Sequence, residues 1–190
     1  IKHCAVPAGL TCTALRVELR DSTGKLLVSY QPTPKGSMQE PKARTIPPEP
    51  KDIDSLEELY LHGAHLEQYK HHTYVPEDYY LEALRRDPKD LRCNLAMGRS
   101  MLEKGDFAAA RTYLDRAIAR LKMRNDNPMD PEAIYQKARL ERLCGHLDVA
   151  YQLFADASWQ FGWRCACLYE MACIDCVRGD RALAVEHLTE

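Results

Sequence analysis

The chain has 190 residues, 45% of them hydrophobic and 28% charged, with a formal net charge of −2. That length gives room for one or two domains with a real core. The near-neutral balance gives no global attraction to nucleic acid or to an anionic membrane, and no apolar run approaches the roughly 18 residues that cross a bilayer. Neither nucleic acid nor membrane is therefore expected as a partner.

Residues 1–12 show no period. The chain opens on IKHCAV without a readable secretory leader and closes on His187-Leu188-Thr189-Glu190 inside a helical pattern, so both ends are expected to be cuts in a longer protein. From Ala14 to Arg20 apolar and charged side chains alternate, Asp21-Ser22-Thr23-Gly24 is turn chemistry, and Lys25–Tyr30 reads as a second strand. A β-hairpin with one face for burial is expected, and since a lone hairpin is marginal, residues 1–30 read as the end of an upstream β domain or as a hairpin packed on the first helices. Prolines at 32, 34, 41, 47, 48 and 50 then make 31–54 an extended, Pro-rich linker.

Asp54-Ser55 starts a helical region that runs to the end, with Ser55 as cap and Glu58 three residues on. Its glycines at 105, 145 and 179 stand 40 and 34 apart. Ala110, Ala150 and Ala184 keep those steps, as do Leu114, Phe154 and Leu188. A fixed period of this size means a helical repeat array. Counting back 34 from Gly98, Leu114 and Ala117 reaches Ala64, Tyr80 and Ala83, which registers an earlier repeat whose turn, Lys70–Pro76, lacks the glycine. The repeats are expected at about 55–89, 90–128, 130–162 and 163–190. The third opens on an Asp130 cap with Pro131 at the first helical position.

These residues resemble the tetratricopeptide repeat. Gly98, Gly105, Ala110, Leu114 and Ala117 fit its pattern, as do Ala138, Gly145, Ala150, Phe154 and Ala157, and then Ala172, Gly179, Ala184 and Leu188. The opening tryptophan of that pattern is replaced by Tyr60, Asn94, Ile134 and Leu168. The resemblance implies a mainly all-α fold, a right-handed superhelix of helix pairs, here preceded by a short β-hairpin and a Pro-rich linker. More broadly, the layout is similar to large bacterial proteins in which a β-rich domain of unknown function precedes such repeats. That likeness carries the rival expectation of an accessory or dimerisation module in a carbohydrate-active protein.

In this family the first helix of each pair lines the inner wall. With Ala64, Gly98, Ala138 and Ala172 in register, the resemblance places His65, Arg99, Tyr135, Arg139, Arg142 and Tyr169 on it. Arginine forks beside tyrosines suit an extended peptide with acidic groups. The bland alternative pairs the arginines with Glu103 and Glu141 on their own helices. The expected function is a non-catalytic scaffold that binds a protein or peptide in its groove, with self-association through Leu168, Ala172 and Leu188 of an uncovered last repeat as a further expectation.

No nucleophile elbow, phosphate loop or dinucleotide fingerprint is present, so no enzyme and no cofactor is expected. Cys165, Cys167, Cys173 and Cys176 share one helix and cannot converge on a metal, because Cys167 points away from the other three. The cysteines read instead as buried free thiols of a cytoplasmic protein. His62, His65, His71 and His72 read as surface histidines, and Trp159, Phe161 and Trp163 as packing between repeats.

Overall fold

A computed structural model describes residues 8–33 and 46–189, which divide into a small unit ending at Ile46 and a large unit beginning at Pro47. In the small unit, β1 (Val17–Arg20) pairs antiparallel with β2 (Leu26–Tyr30) in the register Val17 to Tyr30 and Leu19 to Val28, with an irregularity between Leu19 and Arg20. The turn is built by Asp21, whose Oδ1 accepts from the Thr23 hydroxyl and from the Thr23 and Lys25 amides. Gly24 supplies its positive φ of 83°. The expected hairpin is present, but every residue of both strands is exposed, so its apolar face of Val17, Leu19, Val28 and Tyr30 is not buried as expected.

The large unit is a run of helix pairs: α1 (Leu56–Gln68) with α2 (Pro76–Arg86), α3 (Leu91–Glu103) with α4 (Phe107–Leu121), α5 (Glu132–Leu143) with α6 (Leu147–Ser158), and α7 (Phe161–Arg178) with α8 (Arg181–Thr189). Caps explain several starts. Ser55, Asp90 and Asp106 accept from the amides of Glu58, Cys93 and Ala109 at the heads of α1, α3 and α4. The third pair departs from expectation: α5 begins one residue later, with Pro131 and not Asp130 at the cap position and no side chain capping it, while Asp130 accepts from the Glu132 amide.

Close approach within a pair depends on a missing side chain. A Cβ on Gly98 would stand 2.7 Å from Leu114 of the partner helix, and one on Gly63 would stand 2.5 Å from Tyr80. Repeat 1 is thus slipped by one residue: Gly63, not Ala64, occupies the close-packed position in α1. The same slip brings Lys70 to the left-handed turn position that Gly105, Gly145 and Gly179 fill elsewhere, and Lys70 adopts φ 49° there. The longer connection, residues 69–75, absorbs the difference before α2.

Leu59, Tyr80, Leu114, Ile134, Leu140, Phe154 and Ile174 form a core that passes from pair to pair. At the front, the last residues of the expected linker belong to the array. Pro50–Asp52 forms a 3-10 turn and Ile53 enters the core. The Arg86 guanidinium donates to the carbonyls of Pro50, Lys51, Ile53 and Asp54, and the Tyr79 hydroxyl donates to the carbonyl of Pro48. At the rear, α8 contributes a single buried residue, Ala184. Residues 34–45 of the expected linker lie outside the described residues.

Candidate functional site

The six residues expected on the wall stand on the first helices of the pairs, in two groups whose charged surroundings differ. In the front half, Arg99 of α3 is held between neighbours: Nη2 donates to Glu67 of α1 at 2.7 Å and Nη1 to Glu132 of α5 at 2.9 Å. Glu67 also accepts from the Tyr80 hydroxyl at 2.9 Å. These partners stand on adjacent helices, so the same-helix pairing with Glu103 is not the one adopted. Arg92 of α3 likewise reaches Glu57 of α1 at 2.6 Å. Two carboxylates on one guanidinium leave Arg99 neutralised.

His65 leaves the wall altogether. The slip in repeat 1 puts Ala64 at the register position of Arg99, and His65 is exposed against Tyr69 with ring centroids 4.5 Å apart. His62 stacks on Tyr79, and His71 lies parallel to His72 at 5.2 Å.

The rear half holds the remaining four residues, three of them on α5 and Tyr169 on α7. Tyr135 of α5 packs edge-on against Phe154 and lies 5.0 Å from the ring of Trp163, which fixes its orientation. Arg142, one turn beyond Arg139, approaches the buried Glu170 of α7 at 3.0 Å, although neither Arg142 Nε nor Glu170 Oε2 finds a well-aligned hydrogen bond. Arg139 Nη1 donates to the amide oxygen of Gln136 at 3.0 Å. Among the described residues no carboxylate stands within ion-pair distance of Arg139. Burial pushes the Tyr135 phenol above its usual range. The charge of Glu170 adds to that shift, while Arg139 and Arg142 oppose it. Tyr169 is 59% exposed on α7. The half therefore offers two guanidiniums against one carboxylate, with Tyr135 near them and Tyr169 exposed on the next first helix.

A cavity of about 530 Å³ opens at the front, by the ends of α1 and α3, lined in part by Glu67, Lys70, His71, Glu77 and Lys104. Its charges are largely closed on one another. Glu77 accepts from the Ser100 hydroxyl and from the Lys104 ammonium; burial works to raise its carboxyl, but these donors outweigh burial and hold it below the usual range.

The four cysteines of α7 differ in surroundings: Cys167 is buried, Cys173 half-buried, and Cys165 and Cys176 exposed. Burial pushes the Cys167 thiol up to about 12 and raises that of Cys93 as well. Only those two among the described residues are buried thiols of the expected kind. Among the described residues no three His, Cys, Asp or Glu side chains stand where one metal ion could hold them. Trp163 packs between repeats as expected, but Trp159 and Phe161 are 82% and 90% exposed. The rear face also differs from expectation: Leu168 and Ala172 are buried, while Val177, Val185 and Leu188 are exposed.

No family model matches the chain. Two solved structures are similar in fold. One is MamA 41-end from Desulfovibrio magneticus RS-1, at 18% identity and a TM-score of 0.56, covering 71% of this chain and 72% of that one. The other is the MamA RS-1 ArsTM double mutant, at 18% identity and a TM-score of 0.57, covering 73% and 74%. This likeness shows a tetratricopeptide-like helical fold. No helix among the described residues is long and apolar enough to cross a membrane.

Proposed function

We propose that the array is a non-catalytic scaffold that holds an extended, acidic peptide along its inner wall, at the α5–α7 half. The observation that carries this reading is the charge imbalance there: Arg142 meets one carboxylate, Glu170, and Arg139 meets only the neutral oxygen of Gln136, with Tyr135 near both. Guanidinium forks and tyrosine faces together recognise carboxylates and planar groups, and a repeat wall presents them at spacings an extended chain can follow. Arg99 drops out of the site because Glu67 and Glu132 already occupy it.

The test is fluorescence anisotropy with a labelled peptide of internal glutamates, in low and in physiological salt. Binding that weakens as salt rises, and that falls about tenfold in Tyr169→Ala, supports the reading. Absence of binding at both salt concentrations sinks it.

A second reading, self-association through the rear, is favoured by the exposed Val177, Val185 and Leu188. Leu188→Glu should shift light scattering toward monomer; a wild-type protein that stays monomeric at all concentrations removes it.

A further inference from the structure

The repeat register supplies an internal standard for the Arg139 site. Arg99 and Arg139 each follow the small residue at mid-helix, Gly98 and Ala138. Glu132 precedes Ala138 by six positions, and the residue six before Ala172 is Ala166. The array therefore repeats the arginine but not the glutamate that receives it. In the front half the acceptor comes from the next repeat, as Glu132 Oε1 at 2.9 Å from Arg99. In the rear half the corresponding position holds a methyl group.

From this we infer that Arg139 is the receptor for a ligand carboxylate, and that an aspartate or glutamate side chain of the bound peptide takes the place beside Ala166 that Glu132 takes beside Arg99. The inference rests on the scaffold reading above and narrows it to one receiving group and one kind of ligand atom. Charge supports it. Around Arg99 two carboxylates surround one guanidinium, whereas Arg139 spends one N–H on the neutral oxygen of Gln136 and keeps the rest of its fork. A carboxylate entering there meets the excess positive charge of Arg139 and Arg142 over Glu170. A side-chain carboxylate is specified because the group it imitates, Glu132, is one. Tyr169, exposed three residues beyond Ala166 on the same helix, gives the peptide backbone or a neighbouring side chain a flat surface one turn from that position.

The experiment gives the array the missing acid. Ala166→Glu, at a half-buried position within α7, should supply Arg139 from the next repeat as Glu132 supplies Arg99, while Ala166→Gln has the same size without the charge. The probe is a ten-residue peptide with internal glutamates and an amidated C-terminus, so that a terminal carboxylate cannot account for binding. Ala166→Glu should weaken it about tenfold, and Ala166→Gln less than about threefold. A double-mutant cycle read in Tm separates this from steric blockage. Ala166→Glu should raise Tm by about 2 °C when Arg139 is present and not in the Arg139→Gln background. Wild-type binding that survives Ala166→Glu overturns the inference and leaves the scaffold reading standing, and so does a cycle without coupling. No binding of the peptide by the wild type overturns both.

Discussion

Two buried carboxylates stand at the same place in consecutive repeats, each four residues before its turn glycine, and the chain treats them differently. Glu141 of α5 is met by Arg111 of α4, by Lys137 at 3.5 Å and by His146 Nδ1 at 2.8 Å. Asp175 of α7 is fully buried, and neither of its oxygens has a well-aligned hydrogen bond. At the register position of Arg111 the next repeat has Tyr151, whose hydroxyl lies 2.7 Å from Nε2 of His187; that nitrogen is 3.6 Å from Asp175. The first arrangement is a closed ionic cluster joining α4, α5 and the turn. The second leaves a desolvated carboxylate with one imidazole and the Tyr151 hydroxyl near it and, among the described residues, no guanidinium or ammonium paired with it, on the helix that holds α8. A shared register therefore fixes where a polar side chain is buried, and the neighbouring repeat decides whether it is compensated.

The contrast breaks most readily at Glu141. Glu141→Ala removes the buried acceptor shared by Arg111 and His146, leaves Lys137 with Asp115 alone and opens a cavity between the repeats, and should cost about 3–5 kcal/mol in urea denaturation; a loss under about 1 kcal/mol would show that the cluster is not holding the repeats together. Acid should act next. Burial works to raise the Glu141 carboxyl, but the Arg111 and His146 hydrogen bonds and the nearby cations outweigh it and bring it from 4.5 to about 2. A carboxyl lowered by folding contributes its stability fully above its unfolded value and loses it as pH falls toward the folded one. Stability should thus decline by about 3 kcal/mol between about pH 4.5 and 2, and Glu141→Gln should flatten that limb. Asp175→Asn is the smallest effect, under about 1 kcal/mol, because little is bonded to the charge it removes. A loss as large as that at Glu141 would erase the distinction.

Glycine steps made the array legible, since Gly105, Gly145 and Gly179 each take a positive φ that other residues resist. The slip in repeat 1 was hidden because Gly63 and Ala64 are adjacent and both small, and because helix α2 keeps the step of 34 while α1 does not. That slip is what removed His65 from the wall. Pairing across the wall was hidden for another reason. Glu67 and Glu132 lie 32 and 33 residues from Arg99, so the carboxylates within helical reach in the sequence were the wrong ones. Tyr135, Arg139, Arg142 and Tyr169 are expected on the wall from register alone; that Arg139 stands without an acid among the described residues required seeing which side chains the neighbouring helices bring. Trp159 and Phe161 show the opposite limit. An aromatic run at a repeat boundary reads as packing, yet only Trp163 turns inward.

The strap at the front gives unfolding a direction. Arg86 and Tyr79 tie residues 48–54 over the first helix pair, and Ile53 closes its core, so that end opens only with the loss of several main-chain bonds at once. The rear is held through Ala184 and the region of the undercompensated Asp175. A stack of neighbours that is sealed at one end and loose at the other melts as a zipper pulled from the loose end. Amide protection should then rise in steps from α8 toward α2, and a protease admitted briefly should shorten the protein repeat by repeat from the rear.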